Sequence, residues 1–341
     1  MISSEQLLDQ EMRQLLESER FQIIKKIGHG AFGQVFLVHH PNLEEEFVAA
    51  KVIMNEEFDM NEWDSAGILS QDRSQISPFI VRNIRAKQFD KMTVILMEYS
   101  NLGTLFDLIK TNKNLPIPMI RVIMRQILQG LSYIHSKGLI HRDIKGGNIL
   151  LHNPIGSGRV ILKIADFGVA KTKTGNGVNI QVTVIGTEPY MAPEFILGDG
   201  QEKVIADAKV DIWSLGMLLY KILTHEFPFK INSLVDQHQF MANAVLIRPQ
   251  AIADNILWDF LQKMLQFDRN KRISAADALN HQFFTGKQAE REITIEQNQL
   301  SQIAQAALIN GDSTVTQFDT KPTFVLPLTI NQKRKKKNLR E

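Results

Sequence analysis

The sequence predicts an α+β fold in which strands come first and helices second. Between residues 21 and 99 the chain contains short segments rich in β-branched and aromatic residues, which are typical of β-strands. From residue 119 onward, apolar residues recur at the three- and four-residue spacing of amphipathic helices. Alternating βαβ units would interleave the two patterns, so this order favours an α+β domain.

The expected elements follow one another along the chain. Residues 1–20 place leucines and a methionine at helical spacing among charged residues, so we expect a short amphipathic helix there. Beyond residue 309 the composition turns polar, and we expect a flexible tail over residues 310–341. The predicted strands cover residues 21–27, 34–39, 46–54 and 93–99, and the predicted helices cover residues 119–136, 211–223, 256–265, 275–279 and 290–309.

Length and composition limit the class of protein. A chain of 341 residues suits a two-lobed domain with extensions, and an apolar share of 44% is that of a globular protein. The absence of cysteine excludes disulfides, cysteine nucleophiles and cysteine-ligated zinc. No apolar run approaches the roughly 18 residues that suggest a membrane span, and the first residues lack the features of a signal peptide. We therefore expect a soluble protein of the cytoplasm.

Charge is distributed unevenly along the chain. The net charge is +2, yet six of the last eleven residues are lysine or arginine, most of them in the cluster from Lys333 to Lys337. The rest of the chain is therefore net negative, which argues against nucleic-acid binding by the folded domain. The basic cluster itself is either a solvated tail or a patch for nuclear import or an acidic surface.

Three glycines, Gly28, Gly30 and Gly33, lie between the first two predicted strands. The same spacing occurs in dinucleotide-binding folds, where a helix follows directly, but here a strand follows and that fold is excluded. Glycine lets the backbone approach phosphate oxygens without a Cβ clash. The turn therefore either covers the phosphates of a nucleotide or is an ordinary glycine-rich hairpin.

Lys51 lies inside the apolar strand predicted at residues 46–54. An ammonium group in such surroundings is costly unless an anion compensates its charge. The phosphates of ATP together with a carboxylate on a helix would do so. The alternative is a lysine on an edge strand that extends into water.

Four polar residues further along the chain provide the strongest signal. Asp143, Lys145 and Asn148 lie within six residues of one another, and Asp166 follows 18 residues after Asn148. Asp143 can accept a hydroxyl proton, and Lys145 can neutralise charge on a γ-phosphate. Asn148 and Asp166 offer the hard oxygen ligands that Mg²⁺ prefers. A single loop aspartate is usually solvated, but this ordered set predicts phosphoryl transfer from ATP to a hydroxyl group.

Between Phe21 and Phe284 the chain resembles a eukaryotic protein kinase of the serine/threonine type. The resemblance implies a bilobal fold, with a small antiparallel N-lobe that contains one main helix at about residues 21–98, and a mainly helical C-lobe at about residues 101–284. Residues 1–20 and 285–341 would be extensions. Besides the residues above, the resemblance rests on Ala192-Pro193-Glu194, Asp211-x-Trp213-Ser214-x-Gly216 and Asp268-Arg269-Asn270-Lys271-Arg272.

The resemblance also implies roles for single residues. Glu194 is expected to pair with Arg272, and Asp211 to hold the backbone of the loop that carries the catalytic aspartate. Thr187 would hold that aspartate and Lys145 in place. Lys145 and Thr187 together match the pattern of kinases that act on serine and threonine. The contacts with ATP that the resemblance implies are Ile27, Gly28, Gly30, Gly33, Val35, Ala49, Lys51, Met97, Glu98, Ser100 and Leu150.

Further implications concern cofactors, partners and control. The cofactors would be ATP and Mg²⁺, with Mn²⁺ as an alternative metal, and the partners would be proteins with serine or threonine residues. Arg142 is typical of kinases that are switched by phosphorylation. Thr183, four residues before Thr187, is the expected site for an upstream kinase, with Thr172 and Thr174 as second choices. The sequence Asp-Ile-Lys-Gly-Gly-Asn is similar to that of sterile-20 and MAP-kinase-cascade kinases.

One position departs from the family pattern. The helix carboxylate that would pair with Lys51 is either Asp64, which has Ile68 four residues further on, or Glu62. Aspartate is one methylene shorter than glutamate, and Gly67 weakens the helix. With Asp64 the ion pair would therefore be long, or would form only on activation.

Two other functions compete with catalysis of protein phosphorylation. A pseudokinase-like scaffold would bind partners without catalysis, but such proteins usually lack the strand lysine, the catalytic acid or the metal aspartate, and all three are present here. A small-molecule kinase of related fold is disfavoured by the Ala-Pro-Glu motif and the long segment before it.

Overall fold

The chain forms two compact units in a computed structural model. The N-terminal unit comprises Met1–Gln71 and Val81–Ser100, and the C-terminal unit comprises Asp72–Ile80 and Asn101–Glu341. The structure describes residues 3–30, 33–58, 60–70, 76–167, 171–172, 180–183, 188–197, 203–231 and 233–329. Within these residues, no helix combines the length and apolar character that crossing a membrane requires.

The N-terminal unit is built on an antiparallel sheet with the strand order β1-β2-β3-β5-β4. Four of its strands were predicted, and the α+β class is confirmed. The fourth strand in the chain was not predicted because its sequence, Asn-Ile-Arg-Ala-Lys-Gln, is polar and lies on the sheet edge, where one side remains exposed. The elements are α1 (Ser4–Ser18), β1 (Gln22–Gly30), β2 (Gly33–His39), β3 (Val48–Met54), α2 (Met60–Ser70), β4 (Asn83–Gln88) and β5 (Met92–Glu98).

Helix α1 covers one face of this sheet. Ser3 caps the helix by a reciprocal pair of hydrogen bonds with Gln6, which satisfies backbone N–H groups at the helix start. Met12 and Leu16 are fully buried against an apolar face of the sheet, and each such side chain contributes about 1.5–3 kcal/mol on burial. The sheet residues in this core are Phe36, Val38, Val48, Ala50, Val52, Met92, Val94 and Leu96.

The surroundings of Gly67, a glycine inside α2, can be tested by substitution. Gly67 is exposed, and a Cβ added to it would meet nothing within 4 Å. Because glycine costs about 1 kcal/mol relative to alanine within a helix, Gly67→Ala is expected to raise the free energy of unfolding by about that amount. Urea denaturation followed by circular dichroism measures the change.

Another helical glycine provides the control for this substitution. In the C-terminal unit, a Cβ on Gly130 would lie 2.9 Å from Ile164 Cδ1 and 3.0 Å from the carbonyl oxygen of Phe79. Gly130→Ala is therefore expected to destabilise the protein. If Gly67→Ala lowered stability as Gly130→Ala does, the open surroundings of Gly67 would be refuted.

The C-terminal unit is largely helical around two buried helices, α4 and α6. Helix α6 is buried nearly all round, as its continuous apolar sequence predicts. The elements are α3 (Leu105–Ile109), α4 (Ile117–Ser136), β6 (Leu139–Ile140), β7 (Ile149–His152), β8 (Arg159–Ile164), β9 (Lys171–Thr172), β10 (Ile180–Thr183), α5 (Pro193–Ile196), β11 (Lys203–Ala206), α6 (Lys209–Thr224), α7 (Leu234–Asn243), α8 (Asn255–Met264), α9 (Ala275–Leu279), α10 (Gln282–Thr285), α11 (Lys287–Arg291), α12 (Ile295–Ile309) and β12 (Leu326–Pro327).

The end of the chain corrects two predictions. The single helix predicted at residues 290–309 is divided, because Thr294 caps the start of α12 and ends the preceding turn. The flexible tail predicted from Asn310 is wrong for residues 310–329. Residues 312–328, here called the C-terminal strap, pack on the C-terminal unit and add β12 to β8, with Phe324 and Leu326 buried. The basic cluster at residues 333–337 lies outside the described residues.

Candidate active site

In the C-terminal unit, one buried carboxylate holds the loop that follows β6. Asp211, near the start of α6, accepts hydrogen bonds from the backbone N–H groups of His141 (2.9 Å) and Arg142 (2.7 Å). Its Oδ2 atom also lies 2.7 Å from His135 Nε2. Burial opposes ionisation, but the bonds from His135 and the backbone outweigh it, and the pKa of Asp211 lies below its ordinary value. The predicted role of Asp211 is confirmed.

Three of the predicted catalytic residues meet in this loop. Asn148 Nδ2 donates to both the backbone oxygen and Oδ2 of Asp143, each at 2.9 Å. Lys145 Nζ lies 2.7 Å from the same Oδ2 atom. The side chain of Asp143 is 14% exposed and that of Lys145 is 31% exposed, so the carboxylate is oriented yet reachable. Asn148 is buried in a 3₁₀ turn that places its amide beneath the carboxylate.

The fourth residue, Asp166, follows β8 and is exposed. Its φ of 66° is in the left-handed region, which non-glycine residues adopt rarely and often at functional sites. Its neighbours fix the segment, because Phe167 is buried with its ring 5.0 Å from that of His141, and His141 Nε2 lies 3.1 Å from the oxygen of Ala165.

The β7–β8 hairpin explains why Asn148 and Asp166 come together. Ile149, the first residue of β7, is paired with Ile164, the last residue of β8. Asn148 precedes this pair and Asp166 follows it by two residues. In addition, the backbone N–H of Ala165 donates to the Asn148 oxygen at 2.9 Å. The two predicted metal ligands therefore lie at the same end of one hairpin.

This donor pair fits a hard divalent cation. The Asn148 amide nitrogen is used by Asp143, which leaves the Oδ1 atom as the part of the side chain suited to a cation. Asp166 supplies a carboxylate, the other ligand type that Mg²⁺ and Mn²⁺ prefer. A site of this kind needs only two protein ligands, because phosphate oxygens complete it.

Tyr190 lies beside the catalytic loop and was not singled out from the sequence. Burial and then the charge of Asp143 raise the pKa of Tyr190 to about 12, so its hydroxyl stays protonated at neutral pH. Ser214 Oγ donates to the Tyr190 backbone oxygen at 2.8 Å and anchors this residue to α6. The only signal in the sequence was its position two residues before the Ala-Pro-Glu motif.

A buried ion pair ties α5 to the segment between α8 and α9. Arg272 donates two hydrogen bonds to the Glu194 carboxylate, each 2.9 Å long, and this predicted pair is confirmed. Arg272 also donates to the backbone oxygens of Gln266 and Lys209, and its guanidinium carbon lies 5.2 Å from the centre of the Trp213 ring. The buried cation is therefore surrounded by a carboxylate, two backbone oxygens and an aromatic ring, which compensate the cost of its burial.

In the N-terminal unit, the predicted ATP contacts share the sheet face that α1 does not cover. Lys51 on β3 is opposite Val35 on β2 and Ile95 on β5, and Ala49 is opposite Met97. Because side chains alternate along a strand, these residues lie on one face. Lys51 is buried, with 8% of its surface exposed.

The close approach of β3 to the glycine turn can also be tested by substitution. Gly30 pairs with Gly33 across the β1–β2 hairpin. A Cβ on Gly33 would lie 2.2 Å from the carbonyl oxygen of Val52, a contact that no side chain tolerates without backbone movement. Gly33→Ala is therefore expected to lower the free energy of unfolding by about 1–3 kcal/mol and to raise the KM for ATP. Urea denaturation and steady-state kinetics measure both effects.

Gly28 is the matched control. A Cβ there would lie 3.5 Å from Val35 Cβ, an ordinary contact. Gly28→Ala should leave the free energy of unfolding within about 0.5 kcal/mol of the wild-type value, as surface substitutions usually do. Equal stability of both variants would show that β3 does not approach Gly33 as closely as the structure places it.

The partner of Lys51 stays a prediction. Asp64 is exposed on α2, and the buried positions of this helix include Ser65 and Leu69. Ile68 is half-buried, and these exposures do not test the pairing of Asp64 with Lys51. The side chain of Glu62 lies outside the described part of the chain.

The remaining predicted ATP contacts are distributed over both units. Ile27 is 37% exposed on β1. At the end of β5, Glu98 Oε1 accepts from the backbone N–H of Arg82 at 2.7 Å, and Ser100 follows two residues later. Leu150 is half-buried on β7 in the C-terminal unit. Their contact with a nucleotide stays a prediction.

The predicted regulatory residues are described only in part. Arg142 is buried next to Asp143 with a left-handed φ of 67°. The backbone of Thr183 lies on β10, opposite Lys203 on β11, and its side chain lies outside the described part of the chain. Thr187 as a whole lies outside it.

Comparison with known proteins identifies the family. The protein kinase domain family matches residues 21–284. The chain is 32% identical over 276 residues to mitogen-activated protein kinase kinase 1 of Arabidopsis thaliana, covering 77% of this chain and 73% of that protein. It is 31% identical over 285 residues to the human serine/threonine-protein kinase ULK1, covering 80% of this chain but 26% of that protein.

A third relative is the serine/threonine-protein kinase dst1 of Dictyostelium discoideum, at 34% identity over 280 residues, which covers 78% of this chain and 35% of that protein. Two of these three relatives are thus much longer than the stretch this chain matches. Members of the family use ATP and a divalent metal ion to phosphorylate proteins. With its catalytic loop assembled and residues 21–284 matched, the chain belongs to the protein kinase family and is a protein serine/threonine kinase.

Proposed function

We propose that this kinase uses Mg²⁺-ATP to phosphorylate serine and threonine residues of proteins in a signalling cascade, and that phosphorylation of its own activation segment controls it. The observation that carries the catalytic part is the cluster of Asp143, Lys145 and Asn148, in which the amide and ammonium groups both contact the same carboxylate. Such contacts fix the orientation of the carboxylate.

The roles follow from this arrangement. Asp143 accepts the proton of the substrate hydroxyl, and Lys145 compensates the negative charge on the transferred phosphoryl group. Asn148 orients Asp143 through its amide nitrogen, and with Asp166 it would hold Mg²⁺, or Mn²⁺ in its place. The metal, when bound, neutralises phosphate charge. In the N-terminal unit, Lys51 and the turn with Gly28, Gly30 and Gly33 would contact the phosphates.

A phosphate-transfer assay with labelled ATP and a generic protein substrate tests this proposal. The full chain is expected to transfer phosphate with Mg²⁺ or Mn²⁺ and to lose activity in EDTA. Asp166→Asn should reduce transfer by at least about a hundredfold, because metal ligation supplies several kcal/mol of charge stabilisation. Asparagine tolerates a left-handed φ, so this variant keeps the backbone.

Asp90→Asn, an exposed aspartate in the β4–β5 turn, serves as the control and should leave transfer unchanged. Equal transfer by the Asp166 and Asp90 variants, or full activity in EDTA, would contradict the proposal.

Control by phosphorylation is supported by the position of Arg142, which the backbone bond to Asp211 fixes directly before Asp143. A phosphate on Thr183, added by an upstream kinase, would pair with this cation and order the segment. The name of the Arabidopsis relative describes a kinase within a phosphorylation cascade.

Mass spectrometry of active protein, with Thr183→Ala and Thr172→Ala compared for activity, tests the site. We expect phosphate on Thr183 and a loss of activity in Thr183→Ala alone. An unmodified Thr183 together with full activity of Thr183→Ala would refute this assignment.

For location, we propose the cytoplasm, with nuclear entry through the cluster from Lys333 to Lys337. Replacement of the five cationic residues by glutamine in a fluorescent fusion should remove any nuclear fraction. A nuclear fraction that persists in this variant would refute the role of the cluster.

A further inference from the structure

The C-terminal strap is attached to the strand that leads to Asp166. Leu326 and Pro327 pair with Val160 and Arg159 at the start of β8, and the backbone N–H of Leu328 donates to the Gly158 oxygen at 2.8 Å. In the resulting sheet β8 lies between β12 and β7. Without the strap, the start of β8 would have a free edge.

The strap also packs on the loop that holds the other end of β8. The backbone N–H of Ile164 donates to the Phe79 oxygen at 2.9 Å, and Lys163 Nζ donates to the Pro78 oxygen at 3.1 Å. The Phe79 ring packs against two rings of the strap, Phe318 at 5.0 Å and Phe324 at 5.9 Å, and these two also contact each other at 5.0 Å. The strap therefore contacts the start of β8 directly and its end through Phe79.

A buried ion pair fastens the strap at the start of β8. Arg159 Nε lies 3.2 Å from Asp319 Oδ1, within ion-pair distance but outside hydrogen-bond angles, and both residues are at most 7% exposed. Asp319 Oδ2 accepts from the backbone N–H and the hydroxyl of Thr316, at 2.8 and 2.7 Å. Removal of the carboxylate would take from a buried guanidinium its buried counter-charge, which destabilises such a site.

A single side chain of α4 joins β8 and the strap. The Oε1 atom of Gln126 accepts from the backbone N–H of Leu162 at 2.8 Å, and its Nε2 atom donates to the Phe324 oxygen at 2.6 Å. Gln126 is 2% exposed, so it has no water to replace either partner. Any movement of the strap must therefore strain or break a bond to β8.

We propose that the C-terminal strap is a positioning element of the active site, and that Asp319, Arg159 and Gln126 are positioning residues for the metal ligand Asp166. The inference rests on the proposed function, because it assumes that Asp166 holds the divalent cation. β8 ends at Ile164, two residues before Asp166. Ile164 is paired with Ile149, the residue that follows Asn148. The strap sets the position of β8, and thus the distance between the two ligands, so it sets the affinity for the metal–nucleotide complex.

The test compares full-length variants for Mn²⁺ affinity, measured by electron paramagnetic resonance with a non-hydrolysable ATP analogue present. Asp319→Asn is expected to weaken Mn²⁺ binding about tenfold, the usual range for the loss of a residue that orients a ligand. Hydrogen exchange should accelerate in the peptide that covers residues 159–167. In kinetic assays the metal concentration needed for half-maximal activity should rise, while the KM for the protein substrate stays unchanged.

Two further variants make the result decisive. Gln317→Ala changes an exposed side chain of the same strap and should behave as wild type. Phe318→Ala loosens the strap from Phe79 without leaving a buried charge, and it decides the question should Asp319→Asn fail to fold. If every strap variant that folds keeps its Mn²⁺ affinity and the exchange rates of residues 159–167 within twofold of the Gln317→Ala values, the inference is overturned. Absence of Mn²⁺–nucleotide binding in the wild type would instead refute the proposed function.

Discussion

Asp143→Asn is expected to lower kcat by about 10²–10⁴-fold with little change in the KM for ATP, because this range is typical for the loss of a general base. The asparagine oxygen can still accept from Asn148 Nδ2, so the loop geometry should persist. What is lost is the basic carboxylate that receives the hydroxyl proton and the charge that holds Lys145 at 2.7 Å. Steady-state kinetics with saturating metal and ATP measure the effect.

Circular dichroism and nucleotide binding provide the controls for this variant. Both should match the wild type, since the asparagine has the shape of the aspartate and the bonds from Asp211 to the loop backbone are unchanged. A kcat within tenfold of the wild-type value would remove Asp143 from the proton-transfer role and would favour a scaffold function for the chain.

The second large effect concerns stability. Glu194→Ala is expected to lower the free energy of unfolding by about 3–5 kcal/mol, because it leaves the guanidinium of Arg272 buried without its counter-charge. The side chain of Arg272 is 0% exposed, so water cannot replace the lost carboxylate. Urea denaturation followed by far-ultraviolet circular dichroism measures the change.

Two comparisons sharpen this second prediction. The pair of Lys263 and Asp259 is about half exposed, and Lys263→Ala should cost less than about 1 kcal/mol. The double variant Glu194→Ala with Arg272→Met removes both charges and should recover part of the lost stability. If Glu194→Ala cost no more than Lys263→Ala, the Glu194–Arg272 pair would contribute no more to stability than a surface pair.

The catalytic residues could be predicted because their contacts are local. Asp143, Lys145 and Asn148 lie within six residues, and one short hairpin brings Asp166 to the same place. The four apolar strands of the sheet were predicted for a similar reason, since burial of each strand shows in its own composition.

The features that were missed depend on contacts distant in sequence. Asp319 is 160 positions from Arg159, and the apolar residues of the strap have no regular spacing that would indicate a strand or a helix. The rotation of α2 likewise depends on what covers it. Ser65 and Leu69 are buried, Ile68 is half-buried and Asp64 is exposed, and spacing alone does not fix which residues of the helix pack inward.

The left-handed backbone at Arg142 has a consequence for mutational scanning of this loop. Arginine has a Cβ, so the wild type already bears the cost of about 1–2 kcal/mol for holding φ at 67°, and replacement by alanine keeps that cost while it removes the guanidinium. Replacement by glycine removes the guanidinium and also relieves the backbone cost, so a glycine variant would understate the contribution of the cation. The gap between the alanine and glycine variants therefore separates backbone cost from side-chain function.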